Sequence, residues 1–348
     1  MNGIPPLVDQ YSRGTARGEL GLGTFESHLG EAAGAAGPAP PGTTFFDSRA
    51  GLAVRRWCPP LLGLEAHCAP VRYLARRREL GAYRAGNLLL RGAGIGTFLL
   101  DAADPAALTS PAELARAAGG RAHEVVRLEA LAGRVADACD GAGSFLALTA
   151  EALYDAAGSA TAFASGVVSC DGSPPGAAEV CRAASRWLRR RRPGEPPDEP
   201  VLARHLLWTA VATGLPVQLH GPRTEDLTGF LRATAGLGVD LILLPGPGQH
   251  RGAARLAAAF PHVYADVGTR PEEPLREAPF GKLLFSTGAR ALAELYVVAA
   301  RLFVRAMERL IGDWVADGWC RRAEAGRIAA LVAAGTARRV YRLDAAAG

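Results

Sequence analysis

The chain has almost no lysine. Lys282 stands alone among 39 basic residues in 348, and the others are arginine. With abundant alanine, glycine and proline beside them, this is the composition a GC-rich bacterial genome produces rather than a nucleic-acid-binding design. The arginine runs at residues 76–78 and 189–192 have no interleaved aromatics and no nucleic-acid motif beside them. They read as solvated faces or loops, and nucleic acid is not an expected partner. Cysteine pairs with metal-ligand spacing are lacking too. Cys58, Cys68, Cys139, Cys170, Cys181 and Cys320 contain no Cys-x-x-Cys. That spacing excludes a zinc ribbon and a small disulfide scaffold, leaving free thiols in a reducing compartment. Long apolar runs are missing, since the windows at residues 88–100 and 241–244 are interrupted or short. A membrane span is therefore not expected. No basic stretch leads into an apolar one at the start, so a secretory signal is not expected and the cytoplasm is the default location.

What is present is an alternation. Short apolar runs occupy residues 6–9, 94–100, 124–128, 163–169, 216–220, 240–244, 262–266 and 282–286. Between them, residues 111–118, 177–189, 200–213 and 251–260 carry apolar side chains at three- and four-residue spacing, the mark of amphipathic helices. Gly214-Leu-Pro and Gly236-Leu-Gly look like helix stops just ahead of strands. Eight such units predict an α/β protein of the (β/α)8 TIM-barrel class. The rival is an open doubly wound sheet. It needs a glycine-rich phosphate loop straight after an early strand, whereas Gly92-Ala-Gly-Ile-Gly lies before one. The expectation is a single domain over residues 1–348. It has an insert at 30–70 after the first strand and a helical tract at 292–343. Within the insert, residues 30–42 read as a Gly/Ala/Pro-rich loop, and residues 45–64 as structured, with a break at Pro59-Pro60.

A β/α barrel carries its chemistry at the carboxyl ends of its strands. In this sequence those positions hold Asp9, Gln10, Tyr11, Ser12 and Arg13 after the first strand, Asp101 after the second and Glu129 after the third. Ser169, Cys170 and Asp171 follow the fourth, and His220 ends the fifth. Pro245, Gly246 and Pro247 follow the sixth, with His250 a little further on. Asp266 ends the seventh, and Ser286, Thr287 and Gly288 close the eighth.

Residues 6–14, Pro-Leu-Val-Asp-Gln-Tyr-Ser-Arg-Gly, resemble the opening of the amidohydrolase superfamily, where Leu-Val-Asp-His-His-Cys-His-Gly is a common form in one bacterial branch. Further stretches at 51–57, 60–65, 125–129, 215–220, 250–251, 260–268, 279–286 and 337–341 extend the resemblance over nearly the whole chain. It implies a metal-dependent barrel hydrolase. The metal would be held by His-x-His after strand one, often a Lys or Glu from strand four, a His from strand five, sometimes a His from strand six, and an Asp from strand eight. That Asp also takes the proton of the metal-bound water. Carried over position by position, Tyr11 and Arg13 stand at the His-x-His, Val168 at the lysine, Pro245 at the strand-six histidine and Gly288 at the aspartate. Only His220 matches a ligand. Lys282, at the start of strand eight, cannot be a bridging carbamylated lysine. The Arg13 guanidinium would repel a divalent cation. The loops after strands five and seven also look short for the family.

Each remaining polar residue has two readings. Asp9 and Arg13 would form an ion pair filling the old site. Asp266 and Glu129 would bind Arg13 or cap a following turn. His250 with Arg251 lines the mouth or simply begins the next helix. Cys170, Asp171 and His220 mimic a Cys/His nucleophile, but no signature supports them and Cys170 reads as a structural thiol. The expected mouth set is Asp9, Tyr11, Arg13, Asp101, Glu129, His220, His250 and Asp266. His220 is both the best catalytic candidate and the one surviving metal position. The resulting expectation is a pseudoenzyme: an amidohydrolase-like barrel without a cofactor, acting as a ligand-binding or partner subunit. Its partner would be an active amidohydrolase relative or a second copy of the chain, and a small-molecule ligand stays open. The alternative is an active hydrolase or lyase with a relocated or single-metal site, zinc for example.

Overall fold

The computed structural model describes residues 4–102, 106–166, 172–221 and 223–344. Val168, Ser169, Cys170 and Asp171 lie outside the described residues. Eight strands run in chain order: β1 (Leu7–Ser12), β2 (Ile95–Asp101), β3 (Arg121–Arg127), β4 (Ala162–Ser165), β5 (Val217–His220), β6 (Leu241–Leu244), β7 (Val263–Asp266) and β8 (Leu283–Leu284). They form one sheet in the order β1 to β8. The helices up to the middle of the chain are α1 (Leu22–Ala32), α2 (Arg49–Leu61), α3 (Pro70–Leu80), α4 (Ala82–Gly92), α5 (Pro111–Ala118), α6 (Leu128–Ala136) and α7 (Ala142–Ala157). After them come α8 (Ala177–Arg190), α9 (Pro200–Ala212), α10 (Thr228–Thr234), α11 (His250–Ala259), α12 (Pro274–Glu277), α13 (Ala293–Ala316), α14 (Arg322–Ala330) and α15 (Thr336–Val340). This is the (β/α)8 TIM-barrel order with added C-terminal helices, as the alternation predicts. Strands such as β6 and β7 are buried at every position instead of alternating, which is how parallel strands covered on both faces read. No helix among the described residues is long and apolar enough to cross a membrane.

The chain divides into two compact units. The first comprises residues 1–123, 268–271 and 285–334, and the second comprises 124–267, 272–284 and 335–348. In the first unit, the connection from β1 to β2 is longer and more helical than the 30–70 insert expected from composition. It holds α1 to α4, and α1 runs through Gly30. Gly30 is buried because the Phe45 ring lies where its Cβ would be, so this glycine marks a close approach rather than a loop. Pro59 and Pro60 fall within the last turns of α2 instead of breaking it earlier. The arginine run at 76–78 is not a solvated face throughout. It sits on α3, and Arg77 is only 5 % exposed. Its Nε donates to Glu294 Oε1 at 2.8 Å, and the Tyr73 hydroxyl donates to the same oxygen at 2.7 Å. Glu294 is fully buried in the first turn of α13. A carboxylate there is favoured by the helix dipole and by these two donors.

In the second unit, β3 starts earlier than the sequence suggests and stops at Arg127, so Glu129 lies in the first turn of α6. The run at 189–192 is largely exposed, as expected, and two of its arginines make surface contacts there. Arg190 bonds to Asp198, and Arg191 bonds to Asp137 and to the carbonyls of Gly133 and Ala136. Lys282 precedes β8 and donates to the carbonyls of Phe260, Pro261 and Val263, with its ammonium 4.2 Å from the centre of the Tyr264 ring. Burial holds its pKa below the usual lysine value. The five described cysteines are free thiols.

Candidate functional site

The eight expected mouth residues fall four to each unit. Asp9, Tyr11, Arg13 and Asp101 belong to the first. There, the latter half of β1 with the residues after it and the segment following β8 are laced together by their backbones. Gln10 N donates to Phe285 O at 3.1 Å, Gly288 N to Tyr11 O at 3.0 Å, Arg13 N to Ala289 O at 2.8 Å and Ala291 N to Gly14 O at 2.9 Å. This lacing brings Thr287 onto Asp9. The Thr287 amide donates to Asp9 Oδ1 at 2.8 Å and its hydroxyl to Oδ2 at 2.6 Å. The Tyr11 amide adds a longer bond to Oδ1 at 3.4 Å. Asp9 has no solvent exposure. Burial pushes its carboxyl up to about 7, and the Thr287 bonds offset only part of the rise.

Arg13 does not pair with Asp9 as expected. Its Nε lies 3.5 Å from Asp101 Oδ2, an ion-pair distance, with the arginine side chain 36 % exposed and the aspartate side chain 0 %. The reason is geometric. Residues 9 and 13 are separated by an extended strand end, and the two oxygens of Asp9 are already taken by Thr287. Asp101, at the end of the neighbouring strand, supplies the countercharge. Behind them, the buried Tyr296 hydroxyl accepts from Gly14 N at 3.1 Å. Burial first, then the charge of Asp9, holds that phenol above its ordinary range.

Glu129, His220, His250 and Asp266 belong to the second unit. Glu129 is neither a strand-end ligand nor a cap for its own turn. Its Oε1 accepts from Ser165 Oγ at 2.6 Å and Gly166 N at 2.9 Å, fastening the end of β4 to α6. His220 ends β5, with Nε2 3.3 Å from Gln218 Oε1. Gln218 is fully buried and donates from Nε2 to the Tyr341 hydroxyl at 3.0 Å. Burial raises the pKa of Tyr341, with smaller upward pushes from the charges of Asp266 and Asp240. His250 is the first residue of α11. Asp266 ends β7 and is 6 % exposed.

Gln218 and Tyr341 are not among the strand-end residues read from the sequence, and Thr287 is among them without a role. The signal for Gln218 was there: residues two apart on a strand share a face, so a buried Gln218 had to meet His220. Nothing local in the sequence marks Thr287 as the clamp on Asp9, because the contact spans 278 positions.

The positions that the resemblance assigns to a metal do not suit one. Tyr11 offers its carbonyl to Gly288, Arg13 brings a fixed positive charge, and Gly288 has no side-chain donor and sits in the left-handed region at φ 60°. Both Asp9 oxygens accept hydrogen bonds, and a carboxyl titrating near 7 is a poor anionic ligand at neutral pH. Among the described residues, no three His, Cys, Asp or Glu side chains gather as a metal-holding set.

No protein-family model and no curated protein sequence matches the chain. Solved structures do match in fold. A protein of Lactobacillus casei assigned as a metal-dependent hydrolase is similar with a TM-score of 0.78 at 17 % identity, over 98 % of this chain and 96 % of that one. A uronate isomerase of Thermotoga maritima gives a TM-score of 0.65 at 13 % identity, over 97 % and 94 %. A glucuronate isomerase of Caulobacter crescentus gives 0.61 at 14 %, over 98 % and 92 %. At these identities the likeness shows the fold alone, and that fold is the barrel which the resemblance read from residues 6–14 and the later stretches implies.

Proposed function

We propose that this protein is an amidohydrolase-type barrel that does not carry out metal-dependent hydrolysis and works instead by binding a ligand or a partner subunit. The observation that supports this most directly is the double closure in the first unit: Thr287 on both oxygens of Asp9, and Arg13 beside Asp101. A hydrolytic metal needs three or more open N or O donors and must lower the pKa of its water. Here both oxygens of one carboxylate accept hydrogen bonds, and Arg13 adds a guanidinium that repels cations. His220, the surviving ligand position, is engaged with Gln218 in the second unit. The partner that fits this reading is an active relative or a second copy of the chain.

The test is turnover of p-nitrophenyl esters and N-acyl amino acids with zinc or manganese supplied. The expected result is a rate no higher than buffer with metal. Turnover that a chelator abolishes, and that His220→Ala lowers, overturns the proposal.

A further inference from the structure

The first unit contains a cavity of about 570 Å³ beside the Thr287 clamp. Its walls come from the end of α1, the start of α2, residues 269–270, residues 287–289 and one face of α13. Much of the lining is small or apolar, with Ala53, Val298 and Leu302 among it. Two charged residues line it, Arg49 on α2 and Arg270 in the segment after β7, and no acid does. Neither arginine has a carboxylate within ion-pair reach among the described residues. Glu31, one residue before the wall-forming Ala32, is already held by Arg290 at 3.2 Å.

We infer that this cavity is a binding site for an organic carboxylate with an apolar body. Two guanidinium groups on separate walls can grip a carboxylate through paired N–H donors, which a lysine pair would do less specifically. The amino end of α2, where Arg49 is the first residue, adds positive potential on the same side. The volume lies in the range of small-molecule sites and far exceeds what a bare inorganic anion fills. The alanine, valine and leucine lining gives such an ion no partner, but it removes an apolar body from water. An organic anion satisfies both halves of the cavity. Gly288, the position the resemblance assigns to the aspartate ligand, is part of the wall, but neither Arg49 nor Arg270 stands at a position assigned to a metal.

The experiment is calorimetric titration of the full chain with benzoate and with neutral benzamide, in the presence of a chelator. Benzoate is expected to bind with a millimolar dissociation constant and benzamide about tenfold more weakly or less. Arg49→Gln and Arg270→Gln should each weaken benzoate by about three- to tenfold, and together remove measurable binding. Arg84→Gln, an exposed arginine on α4, should leave it unchanged. Equal binding of benzoate and benzamide overturns the inference. So does benzoate binding that Arg49→Gln and Arg270→Gln leave intact, or no benzoate binding at about 10 mM.

Discussion

At the scale of single residues, Asp9 carries a measurable signature. Its carboxyl titrates near 3.8 when unfolded and is raised to about 7 when folded. The folded state therefore holds a proton that the unfolded state has released. Stability falls as pH rises from about 4 to about 7, and the loss is complete above the folded value. The slope is at most about 1.4 kcal/mol per pH unit. Asp9→Asn keeps the shape without the charge, and the Thr287 hydroxyl can reverse its role to accept from the amide. Urea unfolding at pH 5 and pH 8 is expected to show the wild type losing about 2–3 kcal/mol relative to Asp9→Asn over that interval. Parallel behaviour of the two proteins would show that Asp9 is ionised throughout. The sequence exposed this site only in part. Tyr11 and Arg13 were legible because they replace expected histidines in a local motif. Thr287 was not, because its role arises from the lacing of two segments far apart in the chain.

At the scale of elements, the packing of α3 against the start of α13 turns on one buried acid. Arg77 and Glu294 have side chains 6 % and 0 % exposed, so each neutralises a charge the other could not carry alone. Glu294→Leu should cost about 3–5 kcal/mol, because it leaves the Arg77 guanidinium buried without a countercharge. Arg77→Leu combined with Glu294→Leu should recover much of that loss. Denaturant unfolding of the two variants decides it, and a double variant no more stable than the single would show that the pair is not what couples the helices. These elements also mark where sequence reading succeeds. The strands lined by Val, Ile and Leu were legible, as was α5, whose Ser110 cap, Pro111 start and Gly119 stop are all local signals. The helices between β1 and β2 were harder. α3 has three consecutive arginines, and its one buried arginine can be identified only once Glu294 is known to lie opposite. A glycine such as Gly30 looks like a loop signal until the aromatic ring that fills its missing side chain is placed.

At the scale of the whole molecule, a (β/α)8 barrel and strand-end residues that do not suit a metal occur in one chain. The fold follows from patterning, which tolerates replacement of almost any strand-end residue, so TM-scores of 0.61 to 0.78 coexist with identities of 13 % to 17 %. The chemistry follows from a handful of those strand-end residues, and here they are hydrogen-bonded or paired with one another. The net charge of +5, carried by arginine, adds a field that further disfavours cations. The central claim is therefore tested most directly by metal content. The protein is purified without chelator, challenged with zinc, manganese and iron, desalted and measured by elemental mass spectrometry. The predicted result is well under one ion per chain in every case. About one tightly held ion per chain, lost in His220→Ala, would contradict it.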